Sequence, residues 1–151
     1  MAKYKVNYID INQTLKALRD QVICSIDYCL TELPTFETPE IMFRMLKTLV
    51  TYKSDPPGTE LLQSVPTLLT SANYWGKAGL GDCDCFSILV LSCGIANRYE
   101  RQRIVLAGRS KLAPVHIWTE IYFNGDWQIM DLTQPIFNTK RKYKFVQYIN
   151  V

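Results

Sequence analysis

Histidine is almost missing from this chain, which has one imidazole, His116, in 151 residues. That scarcity excludes most zinc centres, because the five cysteines (Cys24, Cys29, Cys83, Cys85 and Cys93) form no CxxC pair and show no repeated ligand spacing. No apolar run approaches the ~18 residues of a membrane-spanning helix, and the start, MAKYKVNYID, lacks the apolar stretch of a secretory signal. The expectation is a cytoplasmic protein with no membrane partner. An odd number of thiols in a reducing compartment argues against a disulfide framework. Net charge is low as well, and +3 is too little to imply nucleic acid as a partner. With 21% charged and 48% hydrophobic residues, the composition lies outside that of disordered chains, and the length fits one domain with a real core.

What a lone histidine and a few thiols can still build is a Cys/His nucleophilic site. The order of elements shows how one could be assembled. Tyr4 to Ile9 alternate like a short strand or extended arm. After Asn12, a good N-cap, Leu15, Leu18, Val22, Ile26, Cys29, Leu30 and Leu33 recur at helical spacing as far as Pro34. Thr38-Pro39 opens a second helix, which Asp55-Pro56-Pro57-Gly58 ends, and the two helices are expected to pack on each other. Residues 59–75 read as a short helical turn, a break at Pro66 and an irregular approach to Gly76, Gly79 and Gly81. The stretch CDCFSILVLSCGIA is apolar on nearly every side, as in a helix buried all round, with Asp82 as its cap and Gly94 as its end.

Strand periodicity then takes over at 103–107, 115–123, 126–132 and 144–149, with Asn124-Gly125 as a hairpin turn. The fold class is α+β: a single domain over 1–151, with a helical part over 10–70, a core carrying the chemistry over 76–133 and a C-terminal strand over 143–150. A two-residue turn at Asn124-Gly125 pairs Phe123 with Asp126 and Tyr122 with Trp127, and counting outward sets Trp118 opposite Asp131. Period two places His116 on the face of Trp118, Glu120 and Tyr122, diagonal to Asp131 and within hydrogen-bonding reach of it. Ile117, Thr119, Ile121 and Phe123 point the other way, toward a core.

The missing partner is a thiol at a helix start. Cys83 follows the glycine-rich approach and Asp82, where unpaired N–H groups and the helix dipole favour a thiolate and could stabilise an oxyanion. Asp82 and Asp84 work against that thiolate. Cys85 shares the first turn but points about 200° away. Cys24, Cys29 and Cys93 read as small buried hydrophobes, Trp118 and Trp127 as core or sheet-face aromatics. The basic run Lys140 to Lys144 reads as a solvated turn, with an acidic partner surface or nucleic acid as the alternative.

The succession GDCDCFSILVLSCGI, then PVHIWTEIYFNGDWQIMDLT resembles the transglutaminase-like superfamily, whose core carries G-x-C before a buried helix, H-x-W-x-E in one strand and W-x-x-x-D in the next. More narrowly, it looks like small bacteriophage transglutaminase-like proteins with a GDCDD motif, Cys85 standing at the second aspartate. The resemblance covers about residues 76–133. It implies a papain-like α+β fold with Cys83 as nucleophile, His116 as general base and acid, and Asp131 as the orienting carboxylate. It also implies a second oxyanion donor from the approach segment, for which Asn73 and Trp75 are candidates, and no cofactor or metal. The activity implied is acyl transfer on a protein or peptide substrate through a thioester, with hydrolysis favoured over crosslinking. The alternative is a virion or assembly component that uses the fold for binding, located in a host cytoplasm or a virion with other virion proteins as partners.

Overall fold

The computed structural model describes residues 10–151 and the backbone of 4–6; the expectation for Asn7 to Ile9 lies outside them. Tyr4–Val6 form strand β1. The long first helix is in fact two, α1 (Ile11–Ile23) and α2 (Ile26–Glu32). Asp10 rather than Asn12 is the cap, its Oδ1 accepting the Asn12 N–H at 3.0 Å. At the break, the Ser25 hydroxyl donates to the Gln21 carbonyl at 2.6 Å and accepts the Val65 N–H at 2.8 Å. A side chain that competes for backbone partners interrupts the helix and ties it to a distant segment.

Helix α3 (Pro39–Leu49) starts as expected, with the Thr38 hydroxyl accepting the Ile41 N–H at 3.2 Å. It stops before the proline pair, because extended Val50 leads into β2 (Thr51–Tyr52). The expected mutual packing of the first helices is corrected: α1 and α2 lie mainly on a later helix, and α3 lies against the sheet. Strand β3 (Glu60–Leu62) pairs antiparallel with β1. The break anticipated at Pro66 is instead the first turn of α4 (Val65–Leu69), where proline's missing N–H has no helical partner to lose.

Strand β4 (Leu80–Gly81) pairs parallel with β2. The loop before it is held at Gly79, whose φ is +78° and whose added Cβ would lie 2.2 Å from the Leu49 carbonyl oxygen. Only glycine fits there. Helix α5 (Cys83–Ala96) follows, buried at every residue from Asp84 to Gly94. It runs past Gly94 and ends at Asn97, whose side chain donates to the Cys93 carbonyl at 2.7 Å. Gly94 makes room for Gln102, whose Oε1 would sit 2.0 Å from a Cβ at that position.

Strands β5 (Gln102–Ser110), β6 (Ala113–Phe123), β7 (Asp126–Met130) and β8 (Phe145–Asn150) form an antiparallel sheet in the order β7-β6-β5-β8. Asn124 at φ +51° and Gly125 at φ +85° make the tight turn, with Phe123 opposite Asp126 and Tyr122 opposite Trp127 as the sequence predicts. Ile104, Leu106, Ile117, Ile121 and Met130 join the main core with α5. The outer face carries a second cluster of Val105, Ala107 and Trp118, covered by Tyr143 and Val146. Among the described residues, no helix is long and apolar enough to cross a membrane.

Candidate active site

The hairpin register carries His116 and Asp131 to each other, and His116 Nε2 lies 2.7 Å from Asp131 Oδ2. The other carboxylate oxygen, Oδ1, accepts the Thr133 N–H at 3.0 Å and the Thr133 hydroxyl at 2.6 Å. Burial opposes the ionised form of Asp131, but the bond and charge of His116 and the two Thr133 bonds prevail and hold its carboxyl below the ordinary range. An ionised carboxylate can only accept, so His116 Nε2 carries the hydrogen of this bond, which leaves Nδ1 as the ring nitrogen that can exchange a proton with a neighbour. The segment after β7 is fixed from the other side by Lys47, whose Nζ donates to the Leu132 carbonyl at 2.8 Å.

Cys83, the first residue of α5, shares a cleft of about 230 Å³ with His116, Ile117 and Tyr52. Burial, and next the charge of Asp82, push its thiol up to about 12, against a lowering by the Ile117 backbone N–H. This corrects the expectation that the helix start favours a thiolate, since burial and the neighbouring acidic charge favour the thiol here. Asp82 stands at the N-cap position, but its side chain accepts no backbone N–H as a cap.

Carboxylates make up one wall of the cleft, from Asp55, Glu60, Asp82 and Asp84. Burial, then Asp82, push Asp55 up to about 7, with the Leu61 N–H acting the other way and Glu60 adding to the rise. Asp84 is raised by burial, then by Cys85, and by carboxyl hydrogen bonds to Asp82 and Glu60. Asp82, Asp84 and Cys85 bring possible metal-ligand atoms within 4.8 Å of one another.

Cys85 is sealed in the core, its thiol donating to the Leu61 carbonyl at 3.1 Å. Cys29 and Cys93 are buried with sulfurs 3.6 Å apart, whereas Cys24 is exposed, contrary to its reading as a buried hydrophobe. Asn73 and Trp75 do not line the cleft of Cys83 and His116. Asn73 is buried and its Oδ1 accepts the Lys77 N–H at 2.9 Å, while Trp75 packs edge-on against Tyr74. Three contributors escaped the sequence reading. Thr133 was within reach of it, since a hydroxyl two residues after an aspartate is the spacing of an Asx turn. Tyr143, in the basic run read as solvated, stacks on His116 with ring centroids 6.3 Å apart. Arg103 pairs with Glu120 across the sheet.

No family model and no curated protein matches the chain. Among solved structures it is similar to one described as "Crystal structure of a TGase", with 17% sequence identity and a TM-score of 0.38. The similarity covers 90% of this chain and 36% of that one, so the chain spans little more than a third of that protein's length.

Proposed function

We propose that this chain is a transglutaminase-like cysteine hydrolase with a papain-like arrangement, acting on peptide or side-chain amides through a thioester. The observation that carries the proposal is His116, bonded to Asp131 at 2.7 Å and lining the same cleft as Cys83 at the start of a buried helix. A thiol titrating at about 12 is ionised to only about one part in 10⁵ near pH 7, so the nucleophile needs a base at the moment of attack.

The Cys83 sulfur bonds to the amide carbon as its proton passes to His116 Nδ1, while Asp131 stabilises the imidazolium through Nε2. Backbone N–H groups of the first turn of α5 face the oxyanion. The C–N bond then breaks as the imidazolium returns the proton to the leaving nitrogen, which leaves an acyl-sulfur bond. Water, giving a proton to His116, attacks the thioester and releases the acid; the proton returns to sulfur.

The test is a peptide library incubated with wild type, Cys83→Ala and His116→Ala, read by mass spectrometry. The proposal expects hydrolysed or deamidated products from wild type and neither from the two variants. Products shared by all three proteins would refute it, and joined peptides would replace hydrolysis with transfer to an amine.

A further inference from the structure

We infer that Arg103 and Glu120 are positioning residues, an ion pair that holds the His116 imidazole in its working orientation through the Trp118 indole. The inference rests on the proposed role of His116 as base.

Arg103 on β5 stands directly opposite Glu120 on β6, and its Nε and Nη2 donate to Glu120 Oε2 at 2.7 and 2.5 Å. The guanidinium lies 3.9 Å from the Trp127 ring centroid and 4.0 Å from that of Tyr148. Glu120 is 4% exposed, and its second oxygen, Oε1, accepts the Trp118 indole N–H at 3.1 Å. The Trp118 ring in turn packs on His116 at 5.5 Å and on Tyr143 at 5.8 Å.

The imidazole therefore has two holds: Asp131 on one edge and this ring stack against its face. A hydrogen bond at one nitrogen does not by itself fix the tilt of the ring, and the stack supplies that restraint. The stack is set in turn by the indole bond to Glu120. A buried ion pair is not needed for stability, since an apolar pair of similar volume serves as well. What the pair adds is an acceptor fixed in place by the planar guanidinium.

Because His116 is the only histidine, its ring signals can be read in long-range ¹H–¹⁵N spectra without assignment variants. Wild type should show one tautomer, protonated at Nε2. The double variant Arg103→Met/Glu120→Leu removes the polar clamp and leaves no unpaired charge. It should fold, yet show shifted or exchange-broadened His116 signals and Cys83 alkylation slowed roughly 10-fold or more. Arg103→Lys, which keeps a cation on Glu120 Oε2 and leaves Oε1 for the indole, should retain most of the wild-type rate. A folded double variant with wild-type His116 signals and an unchanged alkylation rate would overturn the inference. If the double variant does not fold, Trp118→Phe, which keeps a ring but loses the indole N–H to Glu120, carries the same test: a mixed tautomer with slowed Cys83 alkylation supports the role, and a single Nε2-protonated tautomer with the wild-type rate overturns it. His116→Ala separates the two claims. An unaffected Cys83 rate in that variant would remove the base assignment, while the spectra still decide whether Arg103 and Glu120 orient the ring.

Discussion

At Cys83, burial and the Asp82 charge keep the proton on sulfur, while the proposed chemistry requires its removal. The two agree only if proton transfer and attack are coupled through His116, rather than preceded by a standing thiolate. Asp55 offers a separate test of the same acidic wall. Its carboxyl is raised by burial to about 7, so the folded state binds a proton that the unfolded chain gives up near the ordinary value, about 4. The sign follows from linkage: folding is favoured below about pH 4, and that stability is lost as pH rises toward 7. Asp55→Asn keeps an acceptor for the Leu61 N–H and should be more stable than wild type at pH 7. Its urea midpoint should lose the decline that wild type shows between about pH 4 and 7. Parallel pH profiles for the two proteins would show that this carboxylate is not a source of strain. Asp131 has the opposite sign: its stabilising contribution is present above the ordinary carboxylate range and lost as acid protonates it.

At the scale of elements, the most legible feature was the hairpin. A two-residue turn with period-two strands leaves one register, and that register brings His116 and Asp131 together. The buried helix was equally plain, because fourteen residues with almost no polar face have nowhere to go but a core. The helix ends were less legible. Ser25 breaks the first helix through a bond to Val65, 40 residues away, which no local pattern contains. Gly94 looked like a terminator because the demand that places it comes from Gln102, on the following strand. The glycine approach passes close to the end of α3 at Gly79, and that residue tests the contact. Gly79→Ala must accept positive φ and a contact with a backbone carbonyl that cannot step aside. It should cost about 1–3 kcal/mol or more in chemical denaturation. A loss under about 0.5 kcal/mol would mean that the loop relaxes around the added methyl.

Over the whole molecule, strand order is what the sequence left open. Period two identifies strands but not their neighbours, and β8, which follows β7 in the chain, pairs with β5 at the far side of the sheet. The approach to β8 lays Tyr143 on the imidazole and on Trp118, while the basic residues around it, Lys140, Arg141, Lys142 and Lys144, are exposed as expected of a solvated turn. Cys83, His116 and Asp131 thus come from a helix start, a strand and the end of a strand, elements that pack on one core. The central claim, that His116 takes the proton of Cys83, is tested most directly by alkylating the native protein near pH 7 and measuring the rate at each cysteine by peptide mapping. Exposed Cys24 serves as the internal standard for an unassisted thiol. Cys83 should react faster than Cys24 in wild type despite its burial, and more slowly than Cys24 in His116→Ala. A wild-type protein in which Cys24 reacts first, or a Cys83 rate indifferent to the loss of His116, would contradict the account.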